Sequence, residues 1–233
     1  MGTTGRARAE RVEVSRSRAR ILAAAEALFE TRLPEPTMSE IAVAAGVSSA
    51  TLYRRFPTIE ALIAALHDQL MEHFEDVAQR AMREPSGWEA LVTAVTGIAQ
   101  TIGRHPAIPT MYRKMAQLDP AYTLGPQWDA MLKDVGRRAH EEGALRPDVE
   151  INDATMAAFR IGEYGLLPEP ARSHVIARQL AIVLDGLRAS AARTPVPGVE
   201  VSTEDVNAYI HVEAARLGSE RAAEHDPAAD AAD

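Results

Sequence analysis

The sequence predicts an all-α protein, with a small N-terminal unit of three helices followed by a larger body of longer ones. Three observations carry that prediction. Apolar residues recur three and four apart along most of the chain. Pro and Gly break this pattern at helix-length intervals, and no strict alternation competes as a strand. The 233 residues are 46% hydrophobic but only 5% aromatic, the composition of an Ala-rich helical protein with enough chain for a substantial core. Cysteine is absent, which removes disulfides, thiolate zinc sites and cysteine nucleophiles and fits a reducing cytoplasm. No window approaches the roughly 18 uncharged apolar residues of a membrane span. The stretch ILAAAEALF after the Arg-rich start is interrupted by Glu26 and fits an amphipathic helix better than a signal peptide.

Residues 1–14 show no hydrophobic periodicity and are expected to form a mobile basic arm, either a solvated tail or an arm lying along a phosphate backbone or minor groove. Over 15–31, Ile21, Leu22, Ala25, Leu28 and Phe29 mark a first helix, with Arg16 and Arg20 on one face. Leu33, Pro34, Glu35 and Pro36 make a rigid connector. Thr37 followed by Glu40 is a capping box that starts a second helix near Met38. Ala42 lets two helices approach, Gly46 ends the second with a positive φ, and Leu52 packs a third back onto it. Ser48 caps that third helix, SATLYRRF, which ends before Pro57. Leu52 and Phe56 form its inner set. Ser49, Thr51, Tyr53, Arg54 and Arg55 form an outer set whose hydroxyls and cations suit phosphates and base edges.

The run IAVAAGVSSATLYRRFPTIEAL resembles the DNA-binding signature of the TetR family of one-component transcriptional regulators, and the resemblance covers about the first third of the chain. Two positions depart from the family pattern: Ala50 replaces a frequent Gly, and Ile59 stands where a Lys usually grips a phosphate. The resemblance implies an N-terminal three-helix helix-turn-helix DNA-binding domain, 15–58, followed by a helical ligand-binding and dimerisation domain, 59–193. Among the outward residues, Ser48, Ser49 and Thr51 suit bases or phosphates, Tyr53 and Arg55 suit phosphates, and Ser39 and Arg54 are candidate base readers. Thr37 adds a phosphate contact while capping its helix.

Charge is distributed unevenly. The total is −8, yet residues 1–58 hold nine arginines against six acids, leaving 16 basic and 27 acidic residues beyond them. An acidic body repels DNA and favours docking through the cationic end.

Thr58 is expected to cap a helix over 59–83, about 37 Å long, with Leu62, Ile63, Leu66, Leu70, Phe74 and Val77 inward; in the family, the corresponding helix carries movement to the DNA-reading head. Further helices are expected over 86–103, 106–117, 125–142, 151–165 and 171–192. Beyond them come a linker from Thr194, a possible helix over 203–217 and an acidic tail, together spanning 194–233.

Family members enclose a small molecule among the middle helices, which here carry Tyr112, Met115, Trp128, Met131, Met156, Phe159 and Tyr164. Taken alone, each of these residues is better explained by ordinary core packing, since an aromatic or Met on a helical stripe is what a core contains. Arg160 is a cation among apolar neighbours, suited to an anionic ligand or to an ion pair with Glu163 or Asp153. The helix over 171–192 spreads Val175, Ile176, Leu180, Ile182, Val183, Leu184 and Leu187 over more than one face, so it needs cover on two sides. In the family the last two body helices form a four-helix dimer interface, which here involves Ala157, Ile161, Val175, Gln179, Ile182, Val183 and Leu187.

His67 and His73 are six apart, on different faces of one helix, which does not suit a shared metal ion. His140 beside Glu141 and Glu142 reads as a solvated helix end. No catalytic, phosphate-loop or dinucleotide motif occurs, so no enzyme, metal or cofactor is expected. One short recognition helix reads too few base pairs to select an operator, and two-fold pairing predicts a palindrome. The expectation is a cytoplasmic, homodimeric repressor that leaves double-stranded operator DNA when an unidentified small molecule binds. The rivals are a helical binding protein whose helix-turn-helix only supports the fold, and an all-helical enzyme.

Overall fold

The computed structural model describes residues 3–30, 35–123, 126–189, 202–205, 207, 208, 211 and 215. Its helices are α1 Thr3–Glu30, α2 Met38–Ala45, α3 Ser49–Arg55, α4 Ile59–Arg83, α5 Gly87–Arg104, α6 Ile108–Leu118, α7 Pro126–Glu141, α8 Ile151–Gly162 and α9 Ala171–Leu187. A 3-10 turn, Glu163–Leu166, lies between α8 and α9. Extended pairing among the described residues is limited to a bridge between Leu145 and Arg188. The chain divides into two compact units, Met1–Met71 and Glu72–Asp233. The division falls inside α4, not ahead of it at 58–59, because the first half of α4 supplies buried Leu62, Ile63, Leu66 and Leu70 to the first unit.

In the first unit, α1 reaches back to Thr3, correcting the expectation of an arm without regular structure over 1–14. Ala, Arg and Glu dominate that stretch, and extending a formed helix through such residues is far easier than nucleating one. Ile21, Leu22, Ala25 and Phe29 of α1 are buried with Ile41, Ala42 and Ala45 of α2 and Leu52 of α3. Each fully buried Leu, Ile or Phe contributes about 1.5–3 kcal/mol.

The caps follow the sequence. Thr37 Oγ1 accepts from the Glu40 amide at 3.2 Å, and the Glu40 carboxylate accepts from the Thr37 amide at 2.7 Å. Gly46 ends α2 at φ 61°, and its amide donates back into the last turn. Ser48 Oγ accepts from the Thr51 amide at 3.2 Å, and Thr58 Oγ1 from the Ala61 amide at 3.2 Å.

In the second unit, α5 packs against α7, α8 and α9. Ala90, Ala94, Ala99 and two glycines are interspersed with Leu91, Val95, Ile98 and Ile102, so neighbouring helices approach closely. A Cβ on Gly165 would lie 2.7 Å from the Gly103 carbonyl oxygen, so only Gly fits there. The α5 N-terminus is held by Ser86 and by Glu142 of the chain after α7, whose carboxylate accepts from the Gly87 amide at 2.6 Å and the Trp88 amide at 3.2 Å. A carboxylate at a helix N-terminus meets the positive end of its dipole.

Three expectations are corrected here. The α-helix expected to 165 stops at Gly162 and tightens into the 3-10 turn at that close approach. The helix expected to 192 stops at Leu187, because Ala189 N donates to Ala144 O and Arg146 N to Leu187 O, which draws the chain into the bridge. His140 is not a solvated end: it is half-buried, with Nε2 3.0 Å from the Val149 carbonyl. The described residues of 203–217 are helical, and Thr203 donates to Asp129 of α7 at 2.5 Å. The linker expected after Thr194 and the acidic tail lie outside the described residues, as do Leu33 and Pro34.

Candidate nucleic-acid interface

Leu52 and Phe56 are buried on the inner side of α3, which turns Ser49, Tyr53 and Arg54 outward, all exposed. Ser48 is exposed, and its hydroxyl lies 2.9 Å from that of half-buried Thr51. These five residues form one continuous polar surface. Ser39 on α2 is also exposed.

Two of the expected contact residues also have partners within the head. Arg55 is half-buried, with Nε directed at Ser17 Oγ of α1 at 3.4 Å, so it braces α3 against α1. Thr37 donates its hydroxyl to the Glu40 carboxylate at 2.7 Å. The backbone and hydroxyl bonds from Thr37 hold the Glu40 carboxyl below its ordinary range. A phosphate approaching Thr37 therefore meets an ionised carboxylate.

Three residues gain roles that sequence reasoning did not give them. Val43 on α2 is 79% exposed, an apolar side chain that helical spacing alone assigns to a core. Arg20 Nη2 donates at 2.6 Å to the carbonyls of Ala45 and Gly46, capping α2 with a cation where its dipole is negative. Arg18 stacks over the Phe56 ring at 5.1 Å. The cations of α1 therefore serve the fold of the head as well as its charge.

In the second unit, Phe74 brings together two of the expected pocket residues: it meets Trp128 edge-on at 5.4 Å and stacks on Phe159 at 6.4 Å. Phe159 meets Tyr112 at 5.5 Å, and Tyr112 meets Tyr122 at 6.4 Å. Phe74 and Tyr122 were not among the expected pocket residues; their signal lies in ring contacts between distant segments. Burial pushes the Tyr112 phenol above its ordinary range. Met131 is buried, and Met115 and Met156 are half-buried.

Arg160 and Tyr164 fall outside this cluster. Arg160 is exposed and pairs with Glu163 at 3.1 Å, and Tyr164 is 41% exposed on the 3-10 turn. Both lie on an outward face of α8 and its continuation.

The expected dimer residues divide in the same way. Ile161 and Leu187 are 5% and 7% exposed, so they belong to the core of their own chain and not to an interface. Ile176 and Leu180 share that inner face. Ile182 is 57% exposed, and Ala157, Val175, Gln179 and Val183 are half-buried. Among the described residues, no group of three His, Asp or Glu is placed to hold a metal, and no helix is long and apolar enough to cross a membrane.

Comparison with known proteins agrees with this geometry. The profile of the family described as "Bacterial regulatory proteins, tetR family" matches residues 21–66. The HTH-type transcriptional regulator Rv2250c of Mycobacterium tuberculosis is 27% identical over 172 residues, covering 70% of this chain and 89% of the relative. The TetR regulator SCO0520 of Streptomyces coelicolor has 29% identity and a TM-score of 0.52, over 75% of this chain and 99% of the other. CprB, a TetR-family protein of the same organism solved with its biological operator sequence, shares the fold at a TM-score of 0.60 and 23% identity, over 88% and 98% of the two chains. With α3 held outward by α1 and α2, residues 21–66 carry the DNA-binding domain of the TetR family, and the chain as a whole is similar to TetR-type regulators and is a DNA-binding transcriptional regulator, not an enzyme.

Proposed function

We propose that this protein is a homodimeric repressor that reads a palindromic operator through α3 and releases it when a small molecule occupies the body. The observation that carries this reading is the outward face of α3, with Ser49, Tyr53 and Arg54 exposed opposite buried Leu52 and Phe56. Arg54 reads a base edge, Tyr53 holds a phosphate, and Ser48, Ser49, Thr51 and Ser39 fill the contact around them. Val43 supplies an apolar contact of the kind a thymine methyl accepts. CprB, of the same fold, engages its operator in the complex cited above. A regulator of this kind works in the cytoplasm, where its operator lies.

Dimerisation uses the outer stripe of α8 and α9: Ala157, Val175, Gln179, Ile182 and Val183. The effector binds beside the rings of Tyr112, Phe159 and Trp128, with Met115, Met131 and Met156 adapting to its shape. It shifts DNA affinity only as far as it binds the released state more tightly than the engaged one. α4 runs unbroken from Ile59 through both units, so it is the element able to carry that difference.

Footprinting on DNA upstream of the protein's own gene tests the proposal. The expected result is protection of two symmetric half-sites about one helical turn apart, lost on adding an effector. Protection without two-fold symmetry contradicts the dimer reading, and no protection contradicts the operator reading.

A further inference from the structure

The second unit has a cleft of about 240 Å³ between the later half of α4 and the end of α5, lined only by polar residues. Three of them are arginines: Arg80 and Arg83 of α4 and Arg104 of α5. Among the described residues, none has a carboxylate within ion-pair distance, and Arg80 donates through Nε only to the Asp76 carbonyl, at 3.3 Å. Asp76 lines the same cleft without pairing with any of them. This is unusual in a chain that carries 27 acidic against 16 basic residues beyond position 58. Like charges gathered in one recess repel, and an acidic body offers many carboxylates to neutralise them.

A second observation is independent of charge. Thr101 also lines the cleft and is 1% exposed, yet its hydroxyl has no hydrogen-bond partner. A helical Thr ordinarily donates to the carbonyl one turn back. A buried hydroxyl left without a partner is costly, and such groups are rare in folded proteins.

We infer that this cleft binds a small molecule bearing a multiply charged oxyanion, phosphate or polycarboxylate. Arg80, Arg83 and Arg104 hold the charge, and Thr101 lies in the wall behind them. Guanidinium forks match both oxyanions in shape and stay charged. The volume is several times that of a water molecule and below that of a pocket enclosing a drug-sized ligand. The site therefore takes a compact anion, or the charged end of a larger molecule. None of its residues belongs to the ring cluster proposed for the effector, so the two sites stand or fall separately.

The test is calorimetric titration of the full chain with inorganic pyrophosphate and, in a separate arm, citrate. One anion per chain is expected to bind, and the tighter of the two identifies the oxyanion class. Arg104→Gln should weaken that binding about tenfold, as should Arg83→Gln, which replaces an exposed side chain and keeps the fold. Arg80→Gln, the third cation of the cleft, should weaken it to a similar degree. If neither anion binds, or if binding survives all three substitutions unchanged, the inference is overturned.

Discussion

Gly46 sits at φ 61° with the Arg20 guanidinium over its carbonyl, and a Cβ there would approach Arg20 Nη2 to 2.8 Å. Gly46→Ala is therefore expected to lower stability by about 1–2 kcal/mol from the backbone alone, measured by urea denaturation. An unchanged midpoint would mean the turn does not hold the left-handed conformation. His67, buried in the first unit, has its pKa lowered by burial, with Asp68 opposing. The unfolded imidazole then takes a proton more readily than the folded one, so stability is complete above the ordinary value near 6.5 and falls as pH drops through it. His67→Leu should flatten the dependence of melting temperature on pH between about 7.5 and 5; an unaltered slope would place its origin elsewhere. The caps at Thr37, Gly46 and Ser48 were legible because each partner lies within a few residues. Arg20 and Arg55 were not, since the carbonyl of Gly46 lies 26 residues from Arg20 and Ser17 lies 38 from Arg55.

At the scale of elements, hydrophobic spacing located the helices, while tertiary contacts decided where several of them end. α9 stops where its backbone is taken up by residues 144–146, and α8 tightens where Gly165 meets Gly103. Neither contact leaves a mark in local sequence. The same limit applies to faces: α9 is apolar on two sides, and periodicity alone did not separate inward Ile176, Leu180 and Leu187 from outward Ile182. The outward stripe supports a specific expectation. Ile182→Glu should convert the proposed dimer to a monomer in analytical ultracentrifugation while helicity by circular dichroism stays intact. A variant that stays dimeric would move the interface off α9.

For the whole molecule, charge and symmetry combine. Residues 1–58 carry nine arginines against six acids and the rest is strongly acidic, so approach through the head is favoured before any base is read. Some of those arginines are spent within the head, as Arg18, Arg20 and Arg55 show. This leaves Arg54 as the exposed cation of α3. The Ile at position 59, where a phosphate-gripping Lys is usual, leaves discrimination still more dependent on α3. The most direct measurement is fluorescence anisotropy of the wild type and Arg54→Ala, each titrated onto operator and onto scrambled DNA across a salt series. Arg54→Ala should lose about 1–3 kcal/mol of discrimination per half-site and remain dimeric. If Arg54→Ala separates operator from scrambled sequence as well as the wild type does, α3 is not the reading element.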